Sequence, residues 1–533
     1  MKRNQFIWLI VFAAALISLW MLPVIMAGYP WRLIFLDHAK QFASGGGLVI
    51  DSHRLMPVLI SVLSPLVGWN NSIGWSFTGS IILALALIPW WILCRKLFDA
   101  KVAWGSTTLF ALMPLTWLTA LRPDGYSVGY LFVFLSSLAL ICFYNKRKTS
   151  ILIIAGLLFG GAMVFRDVFI LFLPWMFIFY LWTERKKWKG AFINGVIFIF
   201  CSGIIFSSPF IAASLKPNQS LSQRTDQILK ILEPREPGWS HYYPDRWTYE
   251  FEKDLYDQIS TEKHEGASKL EQIQNTHYRF VFGVDELSPI ESVLDGAWLF
   301  VNRLPTLFMQ EEMGGAFLWL FIIPGILILW RKNRKLLIFI LGIWFTNELI
   351  VRFGFHYQRS HLMNYHFVFA LLAGVGIAGI GKVLAEHHPK ISTNKMIFVI
   401  VLIASAQLVQ ANRGNFAKLY ARSTVPMSYA AAEQLNALPE DSVVAFPIAY
   451  RDYFYFWEGE KIYFHLETVD RIIESGKLKE AFDHYGVTHV VGYPKETNVQ
   501  IRRRLPRVVV LEPVKSKGVE VSPVIRYLLH LVR

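Results

Sequence analysis

Charge is scarce in this chain, and acidic charge most of all. Charged residues make up 17% of the 533 residues, and 39 Asp and Glu stand against 53 Lys and Arg, a formal net charge of +14. Soluble domains carry about 25% charged residues, so a water-soluble globular protein and a disordered tail are both excluded. Cysteine is nearly absent. Cys94, Cys142 and Cys201 lie in or beside apolar runs with no C-x-x-C spacing, which excludes a disulfide framework and a zinc module. There is no G-x-x-x-x-G-K-[ST] loop, so nothing points to an intracellular nucleotide-driven enzyme. Internal repeats and low-complexity tracts are also lacking. Apolar and aromatic residues are abundant: 54% of the chain is hydrophobic, with 19 Trp, 21 Tyr and 41 Phe. Such a chain has lipid as part of its solvent.

A span needs roughly 20 apolar residues to cross about 30 Å of hydrocarbon. Runs of that kind cover 6–27, 73–93, 102–120, 126–144, 191–214, 315–330, 336–352, 362–381 and 396–411. A further run over 150–182 is broken by Arg166-Asp167 and reads as a hairpin of two short spans. Basic residues mark the cytoplasmic side. They cluster at Lys2-Arg3, Arg95-Lys96 with Lys101, Lys146 to Lys148, Arg185 to Lys189, Arg331 to Lys335 and Lys382 to Lys395, where the acids are only Asp99, Glu184 and Glu386. The basic excess is therefore topological, and no nucleic-acid partner is expected. All clusters fall on one side only if 150–182 crosses twice. That predicts an α-helical polytopic protein of eleven spans in the cell (inner) membrane, with a cytoplasmic N-terminus. The charged start and long first run, without a small-residue cleavage site, read as an uncleaved first span.

Three segments fall outside the lipid in this topology: 28–72, 216–314 and the region from 412 onward. The first contains the Pro-broken apolar stretch 55–69, too short to span and expected at the interface. The last alternates helix-like runs (Met427 to Leu438, Leu478 to Tyr485) with strand-like runs (Val443 to Ile448, His489 to Tyr493, Val508 to Val514). It is expected to be an extracytoplasmic α/β domain over 412–533, beside a membrane domain over 1–411.

Ionisable residues at the membrane edge are functional candidates, because lipid makes them costly. On the outer side they are Asp37-His38, His53-Arg54, Arg122 and Asp124, Arg166-Asp167, Arg303, Glu311-Glu312, Arg352, His356, Arg359, His361 and His366. Carboxylates among many cations at one depth suit an anionic headgroup and an acid–base reaction, since Arg presents a planar fork of donors to phosphate and a carboxylate accepts a proton from an attacking hydroxyl. Each also has a plainer reading, as a side chain snorkelling to headgroups, a local ion pair or a helix cap. His356, His361 and His366 recur every five residues, which does not gather a metal-ligand set on a helix. No cofactor is expected, and a divalent metal lacks support.

The order of these parts resembles the GT-C superfamily of polytopic membrane glycosyltransferases, in particular bacterial protein O-mannosyltransferases and lipid A aminoarabinose transferases. The resemblance rests on FLDHAKQF (35–42), RLMPVLISVLSPLVGW (54–69), the paired spans from Leu97 to Leu140 with Asp124 between them, the glycine-rich hairpin IIAGLLFGGAMVFRDVFILFLPW (153–175) and the late segment FHYQRSHLMNYHFVFALLAGVGIAGI (355–380). The chain departs from the family at His38, where many relatives carry a second acid, and at 361–364, which lacks the family's Tyr and Pro. The resemblance implies transfer of a sugar from a polyprenyl-phosphate carrier to a glycan, lipid or protein acceptor on the extracytoplasmic face, with inversion. Mapped onto this chain, it makes Asp37 the base and Asp124 a second acid, with Arg352, Arg359, His361 and Arg166 on the lipid phosphate. A surface-polysaccharide polymerase or ligase, a transporter and a non-catalytic scaffold remain as alternatives.

Overall fold

The computed structural model describes residues 3–27, 39, 42–44, 55–69, 71–121, 125–214, 314–353, 363, 365–412, 435, 437–439, 441–447, 460–464, 469, 472–473, 476–491 and 495–511. The chain divides into two units, Met1–Ile228 with Gly296–Leu419 and Leu229–Asp295 with Tyr420–Arg533.

In the first unit every described element is a helix, as lipid demands of backbone that must satisfy its own hydrogen bonds. The α-helices are α1 (Arg3–Ala27), α2 (Met56–Val67), α3 (Ser72–Leu97), α4 (Ala100–Leu112), α5 (Pro114–Ala120), α6 (Gly125–Lys146), α7 (Thr149–Phe165), α8 (Leu173–Thr183), α9 (Trp188–Ser214), α10 (Gly315–Lys332), α11 (Arg334–Phe353), α12 (His366–His387) and α13 (Thr393–Ala411). Six of them, α3, α6, α9, α10, α12 and α13, are long and apolar enough to cross a membrane by length and composition. The stretch 55–69 holds the twelve-residue helix α2, with Pro57 in its first turn and Pro65 inside it. The protein is a multi-pass membrane protein.

One expected continuity is broken, and one expected break is present. The run 102–120 is two helices, because Pro114 has no N–H to continue α4 and drives Met113 to an extended φ −60°, ψ 138°. The carbonyls freed at the end of α4 are met from elsewhere. The Trp20 indole donates to Ala111 O at 3.0 Å, and the Asn412 amide donates to Leu112 O at 3.0 Å. The run 150–182 breaks at Arg166, extended at φ −150°, ψ 105°, and continues as a 3-10 turn over Asp167–Phe172 before α8.

Lipid gives helices no hydrophobic reason to associate, so close approach through small residues carries the packing. A Cβ on Gly376 of α12 would strike the Phe321 carbonyl oxygen of α10, and one on Gly325 of α10 would strike the Leu372 carbonyl oxygen of α12. Gly374, Gly376 and Gly379 have the G-x-G-x-x-G spacing of a dinucleotide loop. They sit wholly inside α12 and serve packing. The bundle core is aromatic, with Trp20, Trp90, Trp91, Tyr130, Phe110 and Phe134 all buried.

In the second unit, β1 (Val443–Pro447), β2 (Glu460–Phe464), β3 (His489–Val491) and β4 (Val509–Leu511) form a parallel sheet in the order β2-β1-β3-β4. The registers pair Val443 with Glu460, Val444 with His489 and His489 with Val509. Between the strands lie α14 (Leu478–His484) and α15 (Lys495–Arg504), whose Leu478, Ala481, Phe482 and Ile501 join Val443, Ala445 and Val490 in one apolar cluster.

Candidate active site

The candidate site lies at the end of the helical unit where α7 stops and α6 and α12 begin. Of the residues assigned from sequence to the base, the second acid or the lipid phosphate, Arg166 is the one whose side chain is described here. It is only 7% exposed, so it does not snorkel to the membrane surface. The helix break points it inward, where its guanidinium Nη2 donates to the Tyr126 hydroxyl at 2.9 Å and its Cζ stands 4.7 Å from the centre of the Tyr126 ring. Nη1 lies 4.0 Å from Asp167 Oδ1, at the limit of an ion pair. A buried cation must be compensated. A hydroxyl and a ring face contribute to this, a cation–π contact being worth about 0.5–2 kcal/mol. Asp37, Asp124, Arg359 and His361 lie outside the described residues, and Arg352 is described only as backbone, one residue before the end of α11.

His366 departs from its expected place among the outer cations. It is fully buried at the first position of α12. Its Nε2 stands 2.7 Å from Thr116 Oγ1 and its Nδ1 3.1 Å from the Met363 carbonyl oxygen. The rings of Phe110 and Tyr130 stand 5.0 and 5.8 Å from it, centroid to centroid. Three groups that sequence reading missed gather here. The Tyr130 hydroxyl donates to the same Met363 carbonyl, Thr119 Oγ1 lies 3.0 Å from Met363 Sδ, and the Tyr365 hydroxyl donates to Glu348 of α11. Glu348 carried a signal, as an acid inside an apolar run and only 2% exposed. The tyrosines and threonines carried none, being ordinary residues for a span until their partners are known. Among the described residues, no three His, Cys, Asp or Glu side chains gather as a metal site.

The comparisons with known proteins agree with this architecture. Residues 53–211, which contain Tyr126, Tyr130 and Arg166, match the family described as dolichyl-phosphate-mannose-protein mannosyltransferase. No curated protein matches the chain significantly. Among solved structures, ArnT from Cupriavidus metallidurans bound to undecaprenyl phosphate aligns over 96% of this chain and 90% of its own, at 11% identity and a TM-score of 0.50. The Archaeoglobus fulgidus oligosaccharyltransferase in its apo form aligns over 92% of this chain and 69% of its own, at 14% identity and a TM-score of 0.54. The archaeal oligosaccharyltransferase AglB from the same organism, in complex with an inhibitory peptide and a dolichol-phosphate, aligns over 90% and 69%, at 10% identity and a TM-score of 0.52. A family segment that holds the buried arginine and a fold shared over nearly the whole chain together place this protein's likeness with the GT-C superfamily of membrane glycosyltransferases.

Proposed function

We propose that the protein takes a sugar from a polyprenyl-phosphate carrier and passes it to an acceptor on the extracytoplasmic face of the cell (inner) membrane. The observation that carries this reading is the buried Arg166 on the Tyr126 face, in the segment that matches the mannosyltransferase family. A fold neighbour crystallised with undecaprenyl phosphate supports a carrier of that class. Residues 1–411 form the transferase part, with outer loops 28–72 and 216–314, and residues 412–533 an extracytoplasmic α/β domain. Eleven crossings put Arg166 on the outer side.

In this reading Asp37 accepts the proton as the acceptor hydroxyl oxygen attacks the anomeric carbon. The bond from that carbon to the phosphate oxygen breaks, and the lipid phosphate leaves as a stable anion, so no general acid is needed. Arg166, Arg352, Arg359 and His361 hold that phosphate as its charge develops, and Asp124 shapes the acceptor or sugar pocket. Configuration inverts at the attacked carbon.

Asp37→Asn tests the assignment, since it keeps size and removes basicity. General-base catalysis is worth about 10²–10⁴-fold. The variant should lose turnover by that order, with unchanged expression and donor affinity, in assays of purified protein with a polyprenyl-phosphate sugar. Retention of more than about a third of wild-type turnover would remove Asp37 as the base.

A further inference from the structure

The tip of the hairpin between α7 and α8 engages α6 at two neighbouring points. α7 stops at Phe165, and Arg166 takes an extended conformation before the 3-10 turn Asp167–Phe172. The Phe169 N–H donates to the Arg166 carbonyl at 3.2 Å, so the Phe169 ring and the Arg166 guanidinium spring from one closed turn. Arg166 meets the Tyr126 hydroxyl and ring. Phe169 lies against Gly129, three residues further along α6 and therefore on the same face. A Cβ on Gly129 would strike the Phe169 ring. Glycine weakens a helix interior, and here it opens the slot that the ring fills. The ring is 0% exposed. Tyr130 of α6 and Phe172 of its own turn stand edge-on to it at 5.9 and 5.5 Å, centroid to centroid.

We infer that Gly129 and Phe169 are positioning residues: the slot seats the ring, the ring fixes the turn, and the turn holds Arg166 where its guanidinium takes the carrier phosphate. The inference rests on the reading of Arg166 as a phosphate ligand given above. Tyr126 receives the guanidinium, whereas the slot fixes the backbone from which it reaches. A ring displaced by a methyl group at 129 carries the Arg166 carbonyl with it through the hydrogen bond of the turn. A misplacement of about 1 Å can cost a positioned group up to about 10²-fold in rate.

The test uses the purified full chain in nanodiscs, with undecaprenyl phosphate as probe and hydrogen exchange of peptides covering 163–172 as a second reading. Gly129→Ala should weaken binding by about tenfold, as loss of one charge-assisted hydrogen bond would, and speed exchange in 163–172. Phe169→Leu removes the ring atom nearest position 129, so Gly129→Ala/Phe169→Leu should bind more tightly than Gly129→Ala alone. In an Arg166→Gln background, Gly129→Ala should bring no further loss, because the slot acts through the arginine. A glycine that only serves packing behaves differently. Gly381→Ala sets a Cβ against Ile397 of α13 and should lower the melting temperature with binding and exchange in 163–172 unchanged. Wild-type affinity in Gly129→Ala, or an equal loss in the Arg166→Gln background, would overturn the inference. Where Gly129→Ala does not fold, Phe169→Leu alone takes its place, and wild-type exchange and binding in that variant would overturn it. If the wild-type chain fails to bind the probe, the phosphate reading falls, and exchange in Gly129→Ala still decides whether the slot holds the tip.

Discussion

Arg166 shows what one residue can and cannot reveal from sequence. A cation beside an acid inside an apolar run marks a break, and the break is there. Its direction is not legible, because a snorkelling arginine and a buried one look the same until the neighbours are known. Tyr126, forty residues earlier, decides it, through a 2.9 Å hydrogen bond and a ring face. Two substitutions separate charge from shape. Arg166→Lys keeps the charge but loses the planar fork. It should weaken binding of undecaprenyl phosphate by about tenfold, as expected for one charge-assisted hydrogen bond of about 1.5–3 kcal/mol. Tyr126→Phe keeps the ring and should cost less, about two- to fivefold, in proportion to one ordinary hydrogen bond. Isothermal titration on purified protein reads both. Equal affinity in Arg166→Lys and wild type would take Arg166 off the phosphate.

At the scale of elements, apolar run length made most of the helical unit legible, and the broken run 150–182 folds as the two short helices α7 and α8. Strand-like runs at 443–448, 489–493 and 508–514 contain β1, β3 and β4, whereas β2, with its charged start Glu460-Lys461, gave no alternating pattern. The break at Pro114 was in plain view, but a proline is tolerated inside several spans here, including Pro89 in α3 and Pro324 in α10. What makes Pro114 a true end is the capping of freed carbonyls by Trp20 and Asn412, partners 91 and 300 residues away in sequence. Removing that cap leaves a buried acceptor unsatisfied, which costs about 1–3 kcal/mol. Asn412→Leu should therefore lower the melting temperature in detergent. Helix approach predicts a second contrast. Gly376→Val must push α10 from α12 and should destabilise by about 1–3 kcal/mol or more, as overpacking does. Gly203→Val, with nothing within 4 Å of its added Cβ, should leave the melting temperature near wild type.

At the scale of the whole molecule, the basic clusters predict sidedness, and sidedness decides whether the site faces a lipid-borne donor outside or the cytoplasm. Lys148 is exposed between α6 and α7, next to Arg147, whose pairing with Glu184 raises its pKa. In a cysteine-free background, Lys148→Cys should resist an impermeant thiol reagent in intact cells, and Ser240→Cys should react. The opposite labelling would place the candidate site inside and end the account of a polyprenyl-linked donor met from outside.

The claim on which everything else depends is that a sugar leaves a polyprenyl phosphate through this protein. Mass spectrometry of lipid-linked sugars and surface glycans, in cells with and without the chain, measures it most directly. A polyprenyl-phosphate sugar should accumulate in the deletion strain while one surface acceptor loses that same sugar, and wild-type protein but not Asp37→Asn should restore both. Lipid-linked sugars and glycans that are identical in the two strains would contradict the account.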